Sequence, residues 1–156
     1  NHATVPMGAV AASREIHDTI IAASDTPIEF FHGYTMSGHP LACAAGLATL
    51  EVFREQRLFE RAAELAPYWQ DALHSLRDAR HVIDIRNLGI IGGIELEPRH
   101  GKPTQRALET FRACFERGVL IRVTADIIAL SPPLIIEKGQ IDQIIDTIRA
   151  VLREVD

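Results

Sequence analysis

His81-Val82-Ile83-Asp84-Ile85-Arg86-Asn87-Leu88-Gly89-Ile90-Ile91-Gly92-Gly93-Ile94-Glu95-Leu96, HVIDIRNLGIIGGIEL, carries the alternation that decides the fold. His81 to Arg86 alternates apolar and polar residues with period two, the pattern of a half-buried strand. Asn87-Leu88-Gly89 reads as a turn. Ile90 to Leu96 reads as a second strand, and the pair Gly92-Gly93 points to a bulge or a close backbone approach. Beyond a loop from Pro98 to Pro103, Thr104 can cap a helix carrying Ala107, Leu108, Phe111 and Phe115, which Gly118 ends. Val119 to Val123 and Ile127 to Leu130 are strand runs, the second stopped by Ser131-Pro132-Pro133. Ile141, Ile144, Ile145, Ile148, Val151, Leu152 and Val155 fall on one helical face. Residues 81–156 therefore read β-β-α-β-β-α, a compact two-layer α/β unit with a mostly antiparallel sheet.

Upstream, Leu58, Ala62, Leu65, Trp69, Ala72, Leu73 and Leu76 share a helical stripe, with Pro67 expected to kink it or start a fresh helix. A helix near Gly38–Gln56 presents a small face, ACAAGLA, to which a neighbouring backbone can come close; Gly46 costs it about 1 kcal/mol against Ala. Ser13 is a candidate N-cap for a helix ending near Ser24, and Val5 to Ala12 reads as a short buried strand. Residues 1–56 do not make a fold alone. They read as the end of a larger domain, with 57–80 as connecting helices and 81–156 as a small C-terminal domain.

With 156 residues the chain can bury a substantial core. Sixteen Lys+Arg stand against twenty-one Asp+Glu, with no basic stripe, which argues against nucleic acid as a partner. No run of eighteen apolar residues and no charged leader precede the globular pattern, so neither a membrane span nor a signal peptide is expected. Cys43 and Cys114 fit no metal spacing and suit a reducing cytoplasm. Lys102 and Lys138 are the only lysines.

Three features carry candidate chemistry. Phe30 to Pro40, FFHGYTMSGHP, leads hydroxyl and glycine residues into a helix start, where amides and the helix dipole favour an anion. The stretch reads either as a phosphate contact or as an ordinary capped loop, and it is no Walker loop. Arg122, after an apolar run and before Asp126, reads either as a fork for a substrate carboxylate or as a strand-end arginine paired with a nearby acid. His32 and His39 flank the loop without carboxylate or thiol partners at ligand spacing, so no metal site is expected.

VPMGAV, FFHGYTMSGHPLACAAGLATLEVF, RNLGIIGGIELEPRHG, GVLIRVTAD and LSPPLII, in that order, cover essentially the whole chain. Together they resemble class III pyridoxal-phosphate-dependent aminotransferases, and within them the β-alanine (ω-amino acid)–pyruvate type. The resemblance implies the C-terminal part of a fold-type I enzyme: the end of the large cofactor domain plus the small α+β domain. It implies pyridoxal 5'-phosphate as cofactor and ping-pong transfer of an amino group from an ω-amine to pyruvate. By the same resemblance Thr35, with the Tyr34 backbone beside it, contacts the cofactor phosphate of the neighbouring subunit, so a homodimer or larger oligomer is expected. Arg122 matches the arginine that binds the substrate carboxylate. The Schiff-base lysine is expected upstream of Asn1, leaving no catalytic residue in this chain and the chain alone inactive. Met36 stands where many relatives have Tyr, and Ala125 where close relatives have Gly. Rival readings are an aminomutase or ornithine-type aminotransferase of the same class, and a non-catalytic α/β assembly domain.

Overall fold

The computed structural model describes residues 5–25 and 35–156. The chain divides into two compact units, Asn1–Gln56 and Arg57–Asp156.

The second unit holds the sheet. Strands β1 (Val82–Leu88), β2 (Ile91–Leu96), β3 (Arg122–Thr124) and β4 (Ile127–Leu130) pair antiparallel throughout, in the order β1-β2-β4-β3. Helices α3 (Leu58–His74), α4 (Gln105–Glu116) and α5 (Lys138–Glu154) complete it; α1 and α2 belong to the first unit. Period-two alternation sends Gly92, Ile94 and Leu96 of β2, with Ile128 and Leu130 of β4, into a core shared with Trp69, Leu73, Ile141 and Ile148. The helices thus cover one face, and Arg86, Glu95, Arg122 and Thr124 stand on the other. The expected order β-β-α-β-β-α is the order found.

Local readings needed correction. Asn87 and Leu88 continue β1, and the turn is Gly89-Ile90, because Leu88 still pairs with Ile91. Gly92 and Gly93 keep regular register; the irregularity lies between Val82 and Asp84. The glycine pair instead marks a close approach. A Cβ on Gly92 would lie 2.6 Å from Leu73 Cδ2 and 3.3 Å from Trp69 Cζ2. The strand expected from Val119 shortens to Arg122–Thr124, since Val119 and Ile121 are buried as a connection after the Gly118 turn. Pro67 sits inside one continuous helix. The stripe of α3 packs into the core of this unit through Leu65, Trp69, Leu73 and Leu76.

In the first unit, α1 (Arg14–Ala22) begins where Ser13 accepts the Ile16 amide at 3.3 Å, as its N-cap reading requires. Helix α2 spans Pro40–Glu55. Among the described residues, 5–12 form no strand, and beyond Val5 they are exposed. The neighbour of Gly46 is the Met7 thioether, 3.3 Å from where a Cβ would stand, and not a helix. Among the described residues of this unit Ala42 is the sole buried apolar one, and Leu41, Leu47 and Leu50 are exposed.

Gly92→Ala is expected to destabilise the protein by about 1–3 kcal/mol, because a methyl must displace Leu73 in a filled core. Urea unfolding checks this, with Gly93→Ala, whose nearest neighbour would be 3.7 Å away, as the tolerated control.

Candidate functional site

Among the described residues each unit presents a candidate anion-binding feature. In the first, Thr35-Met36-Ser37-Gly38 form an exposed turn, with Gly38 at φ 70 and the His39 amide on Met36 O at 3.2 Å. His39 occupies the N-cap of α2 without a side-chain cap bond, and Pro40 takes the first helical position. First-turn amides lack intrahelical acceptors, and the dipole there favours negative charge. A cleft of ≈ 440 Å³ borders this turn, lined by Met7, Met36, Ser37, His39, Ala42 and Cys43 among others. Thr35 opens the turn; Tyr34 and His32 lie outside the described residues.

In the second unit, Arg122 opens edge strand β3, opposite Ala129. It is exposed, and among the described residues its guanidinium has neither a hydrogen bond nor an ion pair. Several other arginines of the unit are committed, while Arg57, Arg112 and Arg153, like Arg122, show no side-chain hydrogen bond or ion pair among the described residues. Arg61 donates to the carbonyls of Leu134, Ile135 and Ile136. Buried Arg106 donates to Glu97 O and Asp156 O. Arg86 lies over Gly93 and donates to Asp84 at 2.5 Å and Glu95 at 2.9 Å. An apolar cleft of ≈ 950 Å³ adjoins Arg122, walled by Leu108, Phe111, Leu120, Leu130 and Pro132.

Asp126 does not pair with Arg122, the bland possibility for that arginine. Its Oδ1 accepts the Thr104 amide at 2.9 Å and its carbonyl accepts the Leu96 amide at 2.8 Å. Thr104 stands at the start of α4 in a left-handed conformation, φ 69, and makes no side-chain cap bond. The cap therefore comes from a carboxylate twenty-two residues downstream. The sequence signal was the D of IRVTAD; its partner was not legible. Arg99 braces the same helix through two bonds to Glu109, at 3.0 and 2.9 Å, and Gln105 adds a third.

Neither lysine stands free in a cleft of this kind. Lys138 Nζ lies 4.8 Å over the Tyr68 ring, and exposed Lys102, whose backbone pairs with that of Arg99, lines neither cleft. Burial pushes the Cys114 thiol up to about 11, so it is unreactive at neutral pH. Among the described residues no group of three or more His, Cys, Asp or Glu could hold a metal, and no helix is long and apolar enough to cross a membrane.

A hydroxyl turn at a helix start and an exposed arginine beside an apolar cleft offer donors suited to anions. The proteins to which this chain is similar are named aminotransferases. The family model for aminotransferase class-III matches residues 3–152. An omega-aminotransferase of Caulobacter vibrioides is 66% identical over 155 residues, 99% of this chain and 35% of the relative. The beta-alanine–pyruvate aminotransferase of Pseudomonas aeruginosa is 42% identical over 150 residues, 95% of this chain and 34% of the relative. The solved (S)-enantioselective omega-transaminase from Thermomicrobium roseum superposes with a TM-score of 0.79 at 31% identity, covering 91% of this chain and 32% of that one. The chain belongs to the class III aminotransferases. It spans about a third of the length of the curated relatives it matches.

The Arg99 bonds, and secondarily Gln105, hold the Glu109 carboxyl below its ordinary value. A depressed carboxylate stabilises the fold above the unfolded pKa, roughly 4.3, and that stability is lost as pH falls through the folded value. Glu109→Gln should lower the urea midpoint at pH 7 and narrow the gap to wild type at pH 3, as read by unfolding curves at both.

Proposed function

We propose that the intact protein transfers an amino group between an ω-amino acid or amine of the β-alanine kind and pyruvate, using pyridoxal 5'-phosphate. The observation that carries this reading is the 66% identity to an omega-aminotransferase along nearly the whole chain. The beta-alanine–pyruvate and omega-amino acid–pyruvate aminotransferases among its relatives support the choice of pyruvate as acceptor. They favour transamination over the aminomutase reading, and the class model favours it over a bare assembly domain.

The residues present fit the cofactor's phosphate. The exposed Thr35 turn and the uncapped α2 start offer a hydroxyl and amide donors to a dianion, with the Tyr34 amide as the expected neighbour. The bound cofactor supplies the electron sink that lets the C–H bond beside the amine break. In this reading Thr35 holds the phosphate of the partner subunit's cofactor, which requires a homodimer or larger assembly. The exposed apolar residues Leu41, Leu47 and Leu50 of α2 suit such a covered surface. Arg122 grips the donor's carboxylate and thereby sets the distance from carboxylate to amine. The cofactor-anchoring lysine is supplied by sequence outside residues 1–156, and these residues alone are inactive. Residues 1–56 act as the end of the large domain and 81–156 as the small domain. Two unpaired cysteines suit a cytoplasmic setting.

Alanine formation by the full-length enzyme tests this. Arg122→Ala should raise KM for β-alanine about tenfold or more, matching the roughly 1.5–3 kcal/mol of a charged hydrogen bond, while a carboxylate-free primary amine is spared. Poor turnover of β-alanine and related ω-amines by wild type would refute the donor assignment. Thr35→Ala should weaken cofactor retention about tenfold by the same magnitude, read by dialysis and absorbance. Borohydride reduction of residues 1–156 with added cofactor should give no stoichiometric single-site adduct; labelling of Lys102 or Lys138 in peptide mapping would contradict the placement of the lysine.

A further inference from the structure

We propose that Asp126 is a positioning residue for Arg122: bound to the start of α4, it fixes the hairpin that presents the guanidinium and stays unavailable as its ion-pair partner. The inference rests on the reading of Arg122 as the donor-carboxylate receptor.

Strand β3 has three residues and hydrogen-bonds to one strand only, β4. Register continues to Thr124 opposite Ile127, so Ala125-Asp126 is the two-residue turn closing the hairpin. Its conformation is costly. Ala125 sits at φ 51, a region that disfavours a Cβ by about 1–2 kcal/mol. Thr104, at the other end of the Asp126 bond, is also left-handed at φ 69. Asp126, the neighbour of left-handed Ala125, is hydrogen-bonded to left-handed Thr104, and such conformations persist only where surroundings over-determine them. Asp126 supplies that determination twice, through Oδ1 to Thr104 N–H and through its carbonyl to Leu96 N–H. The first bond also sets a carboxylate at a helix N-terminus, where the dipole stabilises it.

The same bond governs charge. Asp126 is four residues from Arg122 and is the acid of its own hairpin. An Arg122–Asp126 pair would compete with a donor carboxylate for the guanidinium. The acids near the other arginines are spoken for, Asp84 and Glu95 by Arg86 and Glu109 by Arg99. With Asp126 given to Thr104, Arg122 is left open to an external anion.

The test uses full-length holoenzyme and two donors, β-alanine and a carboxylate-free primary amine, each with pyruvate. Asp126→Ala is expected to raise KM for β-alanine at least fivefold, with kcat changed less than twofold and the amine's kcat/KM within twofold of wild type. Asp126→Asn keeps an oxygen acceptor for Thr104 N–H and should restore KM to within twofold. In an Arg122→Ala background, Asp126→Ala should add nothing for β-alanine. If Asp126→Ala does not fold, Asp126→Glu takes its place: the charge is kept but the turn is displaced, and the same donor-selective rise in KM is expected. Equal losses for both donors, no loss in a folded variant, or additivity with Arg122→Ala would overturn the proposal. If wild type does not use β-alanine, or Arg122→Ala affects both donors alike, the underlying function has failed instead.

Discussion

The contact of Trp69 and Leu73 with the bare backbone of Gly92 governs the second unit. Where a side chain would begin, Leu73 Cδ2 is only 2.6 Å away. That closeness seats α3 directly on β2, and α5 and α4 complete a single helical layer around it. One sheet face is thereby filled with Ile94, Leu96, Ile128 and Leu130. The opposite face is left without a covering layer in this unit. Period-two alternation then dictates that whatever follows at odd register must project there, and that is where the polar chemistry collects.

Across that open face one cross-strand row reads Arg86, Gly93, Ala129, Arg122. The two arginines are three strand spacings apart, roughly 14 Å, and differ in electrostatic state. Arg86 is held by Asp84 and Glu95, a cluster whose formal charge is negative. Arg122 has no such partner among the described residues. The row thus has an open cation at one end and net negative charge at the other. Gly93 and Ala129 keep the space between them low. In the function proposed above, that asymmetry would favour holding an amino donor by its carboxylate at Arg122.

Much of the second unit was legible because its signals are periodic. The stripes of α3 and α5 and the alternation in β2 and β4 each repeat often enough to outweigh any single residue. The errors fell where one residue had to arbitrate. Asn87-Leu88-Gly89 has turn chemistry, but pairing of Leu88 with Ile91 moved the turn to Gly89-Ile90. Pro67 did not start a fresh helix: burial of Trp69 and Leu73 beyond it carried α3 through. Val5 to Ala12 is apolar enough for a strand but forms none among the described residues. At the site, the Thr35 turn was visible as a loop of donors ahead of a helix; its use for a phosphate came from the motif, and Tyr34 lies outside the described residues.

By itself, the sequence determined the elements of the second unit and their order, since these depend on neighbours within a turn or two; Thr35 and Arg122 were singled out by the family motifs, since local chemistry left their readings open. Only the tertiary structure decided which arginines are committed, and Arg122 is not among them. Arg61, Arg86, Arg99, Arg106 and Arg122 look alike in a sequence. Their difference lies in acceptors brought from strands, carbonyls and helices far along the chain. The partner of Asp126 is the clearest case: spacing offered Arg122 four residues away, and the fold chose the Thr104 amide twenty-two residues back. A hydrogen bond is decided by distance and direction in space, and sequence separation constrains neither once a sheet and a helix have packed.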